Sequence, residues 1–166
     1  MKSKLFLCAA MILVIALSVA CSKADSSSTG VNSQSEAETT LRDFFASLNS
    51  GDYAKAQALY GGSYELLQDM NPLVDPNDAV TLFNNGCTMN GFQCLRVMNV
   101  MLGAQKSEGE FVFQVTFLNA DGTQFVQGPC CGASETDSPS KSEFEYTVMQ
   151  NSQGQFVVMD LPPYVP

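Results

Sequence analysis

The chain has 166 residues, 17 acidic against 8 basic, with no histidine and no tryptophan, for a formal net charge of -9. Such acidity repels nucleic acid and anionic headgroups, and the few Lys and Arg never cluster as phosphate binding requires. The lack of histidine excludes Ser-His and Cys-His nucleophilic catalysis.

Lys2 and Lys4 precede an uncharged apolar run from Leu5 to Leu17, which leads through Ser18-Val19-Ala20 to Cys21. A basic start, an apolar centre and a small residue before the cut are the parts of a secretory signal, here residues 1–20. The run is too short and wrongly flanked for a stable membrane span. A Cys directly behind the small residue resembles the lipobox of bacterial lipoproteins, with Ser18 standing where Leu is commoner. The resemblance implies cleavage after Ala20 and lipidation, palmitate included, at Cys21. It also implies an extracytoplasmic protein anchored by lipid at the cell membrane or outer membrane. Ser22 follows the Cys, and the same family rule then favours the outer membrane where the host has one. An ordinary signal with a coincidental Cys is the alternative. Loss of Lys2 and Lys4 leaves 6 basic residues against 17 acidic, a net of -11. Lipid, not surface charge, must then provide the attachment.

Residues 21–34 are polar and Ser-rich, too poor in apolar surface to fold. They read as a flexible tether with a reach of about 20 Å. Residues 35–166 are the right length for one domain with one core.

Ser35-x-x-Glu38 has the form of a capping box, so a first helix is expected from there. Leu41, Phe44, Phe45 and Leu48 fall on one face of it, and Asn49-Ser50-Gly51 stops it. Asp52 is placed to cap a second helix carrying Tyr53, Ala56, Leu59 and Tyr60, which Gly61-Gly62 ends. A short helical turn is expected over 64–69. Asp75-Pro76 predicts the start of a further helix with Ala79, Val80, Leu82 and Phe83 on its apolar side, ended by Gly86.

Beyond Gly86 the period becomes twofold. Phe111, Phe113, Val115 and Phe117 line one face of a strand, and Phe144, Tyr146 and Val148 line another. A strand over 156–161 follows the turn Asn151-Ser152-Gln153-Gly154, and 95–102 is a strand with blurred alternation. Helices followed by an antiparallel meander predict an α+β domain, the helices lying on the apolar face of a sheet of four or more strands.

The segment from Leu41-Arg42-Asp43-Phe44-Phe45 to Asn49-Ser50-Gly51-Asp52-Tyr53-Ala54-Lys55-Ala56 resembles the opening of nuclear-transport-factor-2-like domains. The resemblance implies a curved antiparallel sheet wrapped round the helices, a cystatin-like roll. It extends over residues 36–161 in element order, while a motif is carried by the first twenty alone. Gly128-Pro129-Cys130-Cys131-Gly132 is no part of the general pattern.

Cys87, Cys94, Cys130 and Cys131 make an even set in an exported domain, which reads as two disulfides. A hairpin turning near Ser107 would put Cys94 opposite residue 120, and the chain beyond Gly122 would then pass the end of the sheet that holds Cys87 and Cys94. Crossed pairing between 87/94 and 130/131 is the expectation. A local bridge competes, because Asn90-Gly91 is a strong hairpin signal that would set Cys87 against Cys94. That arrangement leaves Cys130 and Cys131 to each other as a vicinal pair. Free thiols and a tetrathiolate metal site are the remaining readings, the latter disfavoured by oxidising surroundings and adjacent ligands.

No phosphate-cradling or calcium-binding loop is present. No cofactor and no metal are expected. Tyr53, Tyr60, Tyr64, Asp43 and Asp69 are available for acid–base work, but no spacing singles them out, and the first two are expected to pack the core. Arg96 and Asn99 either line a pocket or face outward. Met70, Met89, Met98, Met101, Met149 and Met159 invite a soft-metal reading, against which core packing is the better account. The functional expectation is a non-catalytic, membrane-anchored protein that binds a small ligand or an envelope protein. The alternative is a small Asp/Tyr-dependent isomerase or dehydratase in the cone of the roll.

Overall fold

The first described element is a helix, α1, that runs from Ser27 to Ser50 in a computed structural model describing residues 27–129 and 132–166. The expected lipidation site Cys21 and the expected signal segment, residues 1–20, lie outside the described residues. The expected cap at Ser35 is corrected: Ser35 is an interior helical residue whose carbonyl accepts from the Thr39 hydroxyl at 2.8 Å. Residues 27–34, which composition assigned to the tether, are helical too. Helix propagation costs little once a nucleus exists, and no proline stands in the way. Gly51, at φ +79°, ends α1 with Gly51 N bonded to Leu48 O at 3.2 Å and Asp52 N to Ser47 O at 2.9 Å. This left-handed cap needs glycine. Asp52 then caps α2 (Tyr53–Ala58), its carboxylate accepting from Lys55 N at 3.1 Å.

A short helix α3 (Glu65–Met70) leads to α4 (Ala79–Thr88), and both bounds of α4 differ from expectation. Asp75 accepts from Asn77 N at 2.9 Å and so caps a separate turn. The helix cap is Asp78, which accepts from Thr81 N at 3.0 Å and from the Thr81 hydroxyl at 2.6 Å. Gly86 does not terminate α4 but lies buried within it. A Cβ there would stand 2.8 Å from Leu67 Cδ2, so glycine serves close packing at this position.

The sheet is a four-stranded antiparallel meander in the order β1 (Arg96–Ser107), β2 (Glu110–Leu118), β3 (Phe144–Gln150), β4 (Phe156–Val158). The α+β class holds. Phe111, Phe113, Val115 and Phe117 of β2 and Phe144, Tyr146 and Val148 of β3 face one core with Leu41, Phe44, Phe45 and Leu48 of α1. Gly61 N→Val158 O and Val158 N→Leu59 O, both 2.9 Å, tie the end of α2 to β4. The last strand is shorter than the predicted 156–161, because Asp160 and the Pro162-Pro163 pair leave the ladder.

The strand β1 lies at the sheet edge with three register shifts, between Val97 and Asn99, Leu102 and Ala104, and Gln105 and Ser107. Each adds a residue to one side of the pair and reverses the alternation locally, which accounts for the blurred pattern. The same exposure corrects the account of the methionines. Met89, Met98 and Met101 are 68%, 53% and 49% exposed, so packing does not explain them, whereas Met70 does lean on the core.

Candidate functional site

The cysteines give the first correction at the site level. Cys87 is bonded to Cys94 with Cα atoms 5.5 Å apart, so crossed pairing is overturned and local pairing holds. The route is not the hairpin expected. Because α4 continues through Gly86, Cys87 sits on its last turn, and the chain reverses at Gly91 (φ +86°) with Phe92 N bonded to Gly86 O at 3.1 Å. Asn49 Nδ2 donates to Cys94 O at 2.9 Å, joining the bridge to the end of α1. Cys130 and Cys131 lie outside the described residues. The base of their excursion is nevertheless held near this end: Gln127 Nε2 donates to Tyr164 O at 2.7 Å, and the Tyr164 ring lies 5.4 Å from that of Phe92. Replacing Cys87 and Cys94 together by Ser is expected to cost about 2.5 kcal/mol, the unfolded-state constraint of so short a loop. A urea midpoint unchanged in the double variant would contradict this.

Of the acid–base residues considered from sequence, few come together. Asp43 pairs with Lys55 at 3.1 Å, both about half exposed, which makes it a surface ion pair of little consequence. Tyr53 packs against the core and Asp69 is exposed. Arg96 and Asn99 are both exposed on β1, and Arg96 also lines an open depression of about 330 Å³ with Asn49, Leu118 and Asn119. Tyr60 is 8% exposed, stacks on Phe44 at 5.7 Å, and donates its hydroxyl proton to Ser63 O at 2.9 Å. Tyr64 meets Tyr60 edge-on at 5.0 Å, and burial pushes its phenol up to about 12.

The residue that connects these groups was not singled out from sequence. Asp160 follows the end of β4, where its carboxylate accepts from Thr147 N at 2.6 Å in place of a ladder partner. Its charge reaches both Tyr60 and Tyr146. Burial first, and then neighbouring charge including that of Asp160, raises both phenols well above the ordinary tyrosine value. Both are therefore neutral hydrogen-bonding groups at physiological pH, not bases. Asp160 lies between two depressions. One, of about 410 Å³, lies against α3 and is lined by Tyr60, Glu65, Leu66 and Asp69 among others. The other is a groove of about 660 Å³ between β3 and the segment 160–164, where Lys141, Glu143, Glu145, Tyr146 and Asp160 supply the polar groups.

The groove opens where the sheet ends early. The only sequence signals were an acidic residue directly before Leu161-Pro162-Pro163 and a tyrosine among inward-facing aromatics. No group of three or more Cys, Asp or Glu side chains is placed to hold a metal ion among the described residues. No described helix is long and apolar enough to cross a membrane. Comparison with protein-family models, curated proteins and solved structures gives no match.

Proposed function

We propose that this protein is a lipid-anchored, extracytoplasmic lipoprotein whose nuclear-transport-factor-2-like roll binds a small ligand or another envelope protein. The anchor reading rests on the order Lys2, Lys4, apolar run, Ala20, Cys21. The roll is supported by helices preceding an antiparallel meander with one face on the helices. The observation that carries binding over catalysis is the filling of the helix–sheet space. Phe44, Phe45, Phe83, Phe111, Phe113 and Phe117 are all buried in it, and the polar groove lies at the rim. A reaction chamber inside the roll would need that space.

The second reading, a small enzyme using Asp and Tyr, draws on Asp160 near the hydroxyls of Tyr60 and Tyr146. Against it, the Asp160 carboxylate already accepts a backbone amide, which fixes it in a structural task.

The anchor is tested by replacing Cys21 with Ser. The variant is expected to stay unlipidated and unprocessed after Ala20, and to leave the washed membrane fraction. Retention of the variant at wild-type level would overturn the lipoprotein reading.

A further inference from the structure

The dipeptide Asn-Gly occurs twice in this chain, at Asn85-Gly86 and at Asn90-Gly91. In either copy the glycine nitrogen can attack the side-chain carbonyl of the asparagine before it. No Cβ shields that nitrogen, and the reacting atoms belong to adjoining residues, so ring closure costs little entropy. The fold separates the two copies. Gly86 is buried inside α4, where its N–H is committed to the helix ladder, and Asn85 Nδ2 donates to Asn71 Oδ1 at 2.9 Å. Attack there would first have to open the helix.

Asn90 lies beyond the last turn of α4 and is partly exposed, and the Gly91 N–H donates no hydrogen bond among the described residues. Asn71 is 8% exposed and is held by its bond to Leu67 O at 2.8 Å; it donates to Asn90 Oδ1 at 3.1 Å. Negative charge grows on Oδ1 as Cγ is attacked, and a donor fixed in advance stabilises it. A free nucleophile, a polarised carbonyl and access to water therefore meet at Asn90 and not at Asn85.

The C-terminus is fastened beside this pair. Gly91 O accepts from Val165 N at 3.0 Å and from Gln93 Nε2 at 2.9 Å, and Gln93 N donates to Pro163 O at 2.7 Å. A Cβ on Gly91 would collide with Val165 O, so the two backbones run in close contact. The Cys87–Cys94 bridge closes the loop that contains the pair. A main chain lengthened inside so tight a loop must displace Gly91 and give up its bond to Val165.

We propose that Asn90 is a self-modification site whose isoaspartyl product unfastens the C-terminal segment. Hydroxide takes the Gly91 amide proton, the nitrogen bonds to Asn90 Cγ, and the side-chain nitrogen leaves as ammonia with a proton from water. Water then opens the cyclic imide. Cleavage between Gly91 N and Cγ gives an aspartyl residue. Cleavage between Gly91 N and the Asn90 backbone carbonyl carbon gives isoaspartate, whose main chain passes through Cβ and Cγ and is longer by an atom. The sum is one water consumed and one ammonia released, with no redox change.

The test is ageing of the purified full-length protein in mildly alkaline buffer, folded and in concentrated urea, followed by peptide mapping with mass spectrometry. In the folded protein Asn90 should exchange its amide for a carboxyl about tenfold faster than Asn85, or more, because a helical amide reacts only after local opening. In urea, where both are plain Asn-Gly pairs, the two rates should converge. Equal rates in the folded protein, or an Asn90 that reacts in urea alone, overturn the assignment. The isoaspartyl form, isolated by ion exchange, should lose hydrogen-exchange protection at Val165 N. Unchanged protection there overturns the release. Asn90→Gln, whose larger ring closes far more slowly, should keep its mass and its Val165 protection through the same ageing. Loss of protection in that variant would show that ageing loosens the C-terminus by another route.

Discussion

Phe45→Ala should lower the unfolding free energy by about 3–5 kcal/mol, the range for deleting a buried aromatic side chain. Phe45 has no exposed surface, and its ring meets those of Phe44 at 5.2 Å, Phe117 at 4.8 Å and Tyr146 at 4.8 Å, all edge-on. One side chain thus joins α1 to β2 and β3. Truncation removes the transfer contribution, the edge-to-face contacts and the filling of the space together. Domains of this size are stable by only about 5–15 kcal/mol, so the variant should sit near the unfolding threshold. Urea denaturation followed by tyrosine fluorescence measures it. Leu73→Ala, at a residue 99% exposed, is the control and should change stability by no more than about 0.5 kcal/mol. A Phe45→Ala cost below about 1.5 kcal/mol would show that the site collapses around the loss and that the three-way aromatic junction does not set stability.

Alkali should unfold the protein through Tyr60 and Tyr146. Both are nearly fully buried, and burial, followed by nearby charge, raises their folded pKa values. A raised folded pKa means that the stabilisation is complete below the unfolded value of about 10 and is lost as pH rises above it toward the folded value. At pH 11 the loss is about 1.4 kcal/mol for each, or about 3 kcal/mol for the two. Tyr64, pushed up to about 12 by burial, acts in the same direction. Stability measured within minutes of transfer to each pH should fall steeply above pH 10, about 1.4 kcal/mol per pH unit per buried tyrosine. Tyr146→Phe, which has no proton to lose, should make the fall shallower by one such increment. An equal slope in the variant would contradict the assignment.

The two strongest strands were plain from sequence because both faces of the pattern matter there. In β2 and β3 every second residue meets the helices, and the aromatic side chains record it. Asp52 was equally legible, since one residue both follows the left-handed glycine and caps the next helix. The choice between Asp75 and Asp78 was not, because each has the side chain to cap and only the tertiary path says which turn continues into helix. Cys87 was misplaced for a related reason: Gly86 reads as a stop, but the structure uses it for proximity to Leu67. The groove was the least visible feature. Asp160 and Tyr146 gain their relation from the point at which β4 leaves the sheet, and no local period marks that departure.

The three register shifts in β1 bear on how this protein behaves when crowded against its own kind. A twelve-residue edge strand with Met98, Met101 and Leu102 exposed offers apolar surface and open backbone groups, the ingredients of strand-to-strand aggregation. A bulge bends the strand and deepens its local twist, so a second flat strand laid along it loses register after four residues at most, the run Asn99–Leu102. Spaced along the whole of β1, the shifts leave no uninterrupted stretch long enough to template a fibril. The irregularity that blurs the alternation of this strand also limits the length over which a second strand could pair with it.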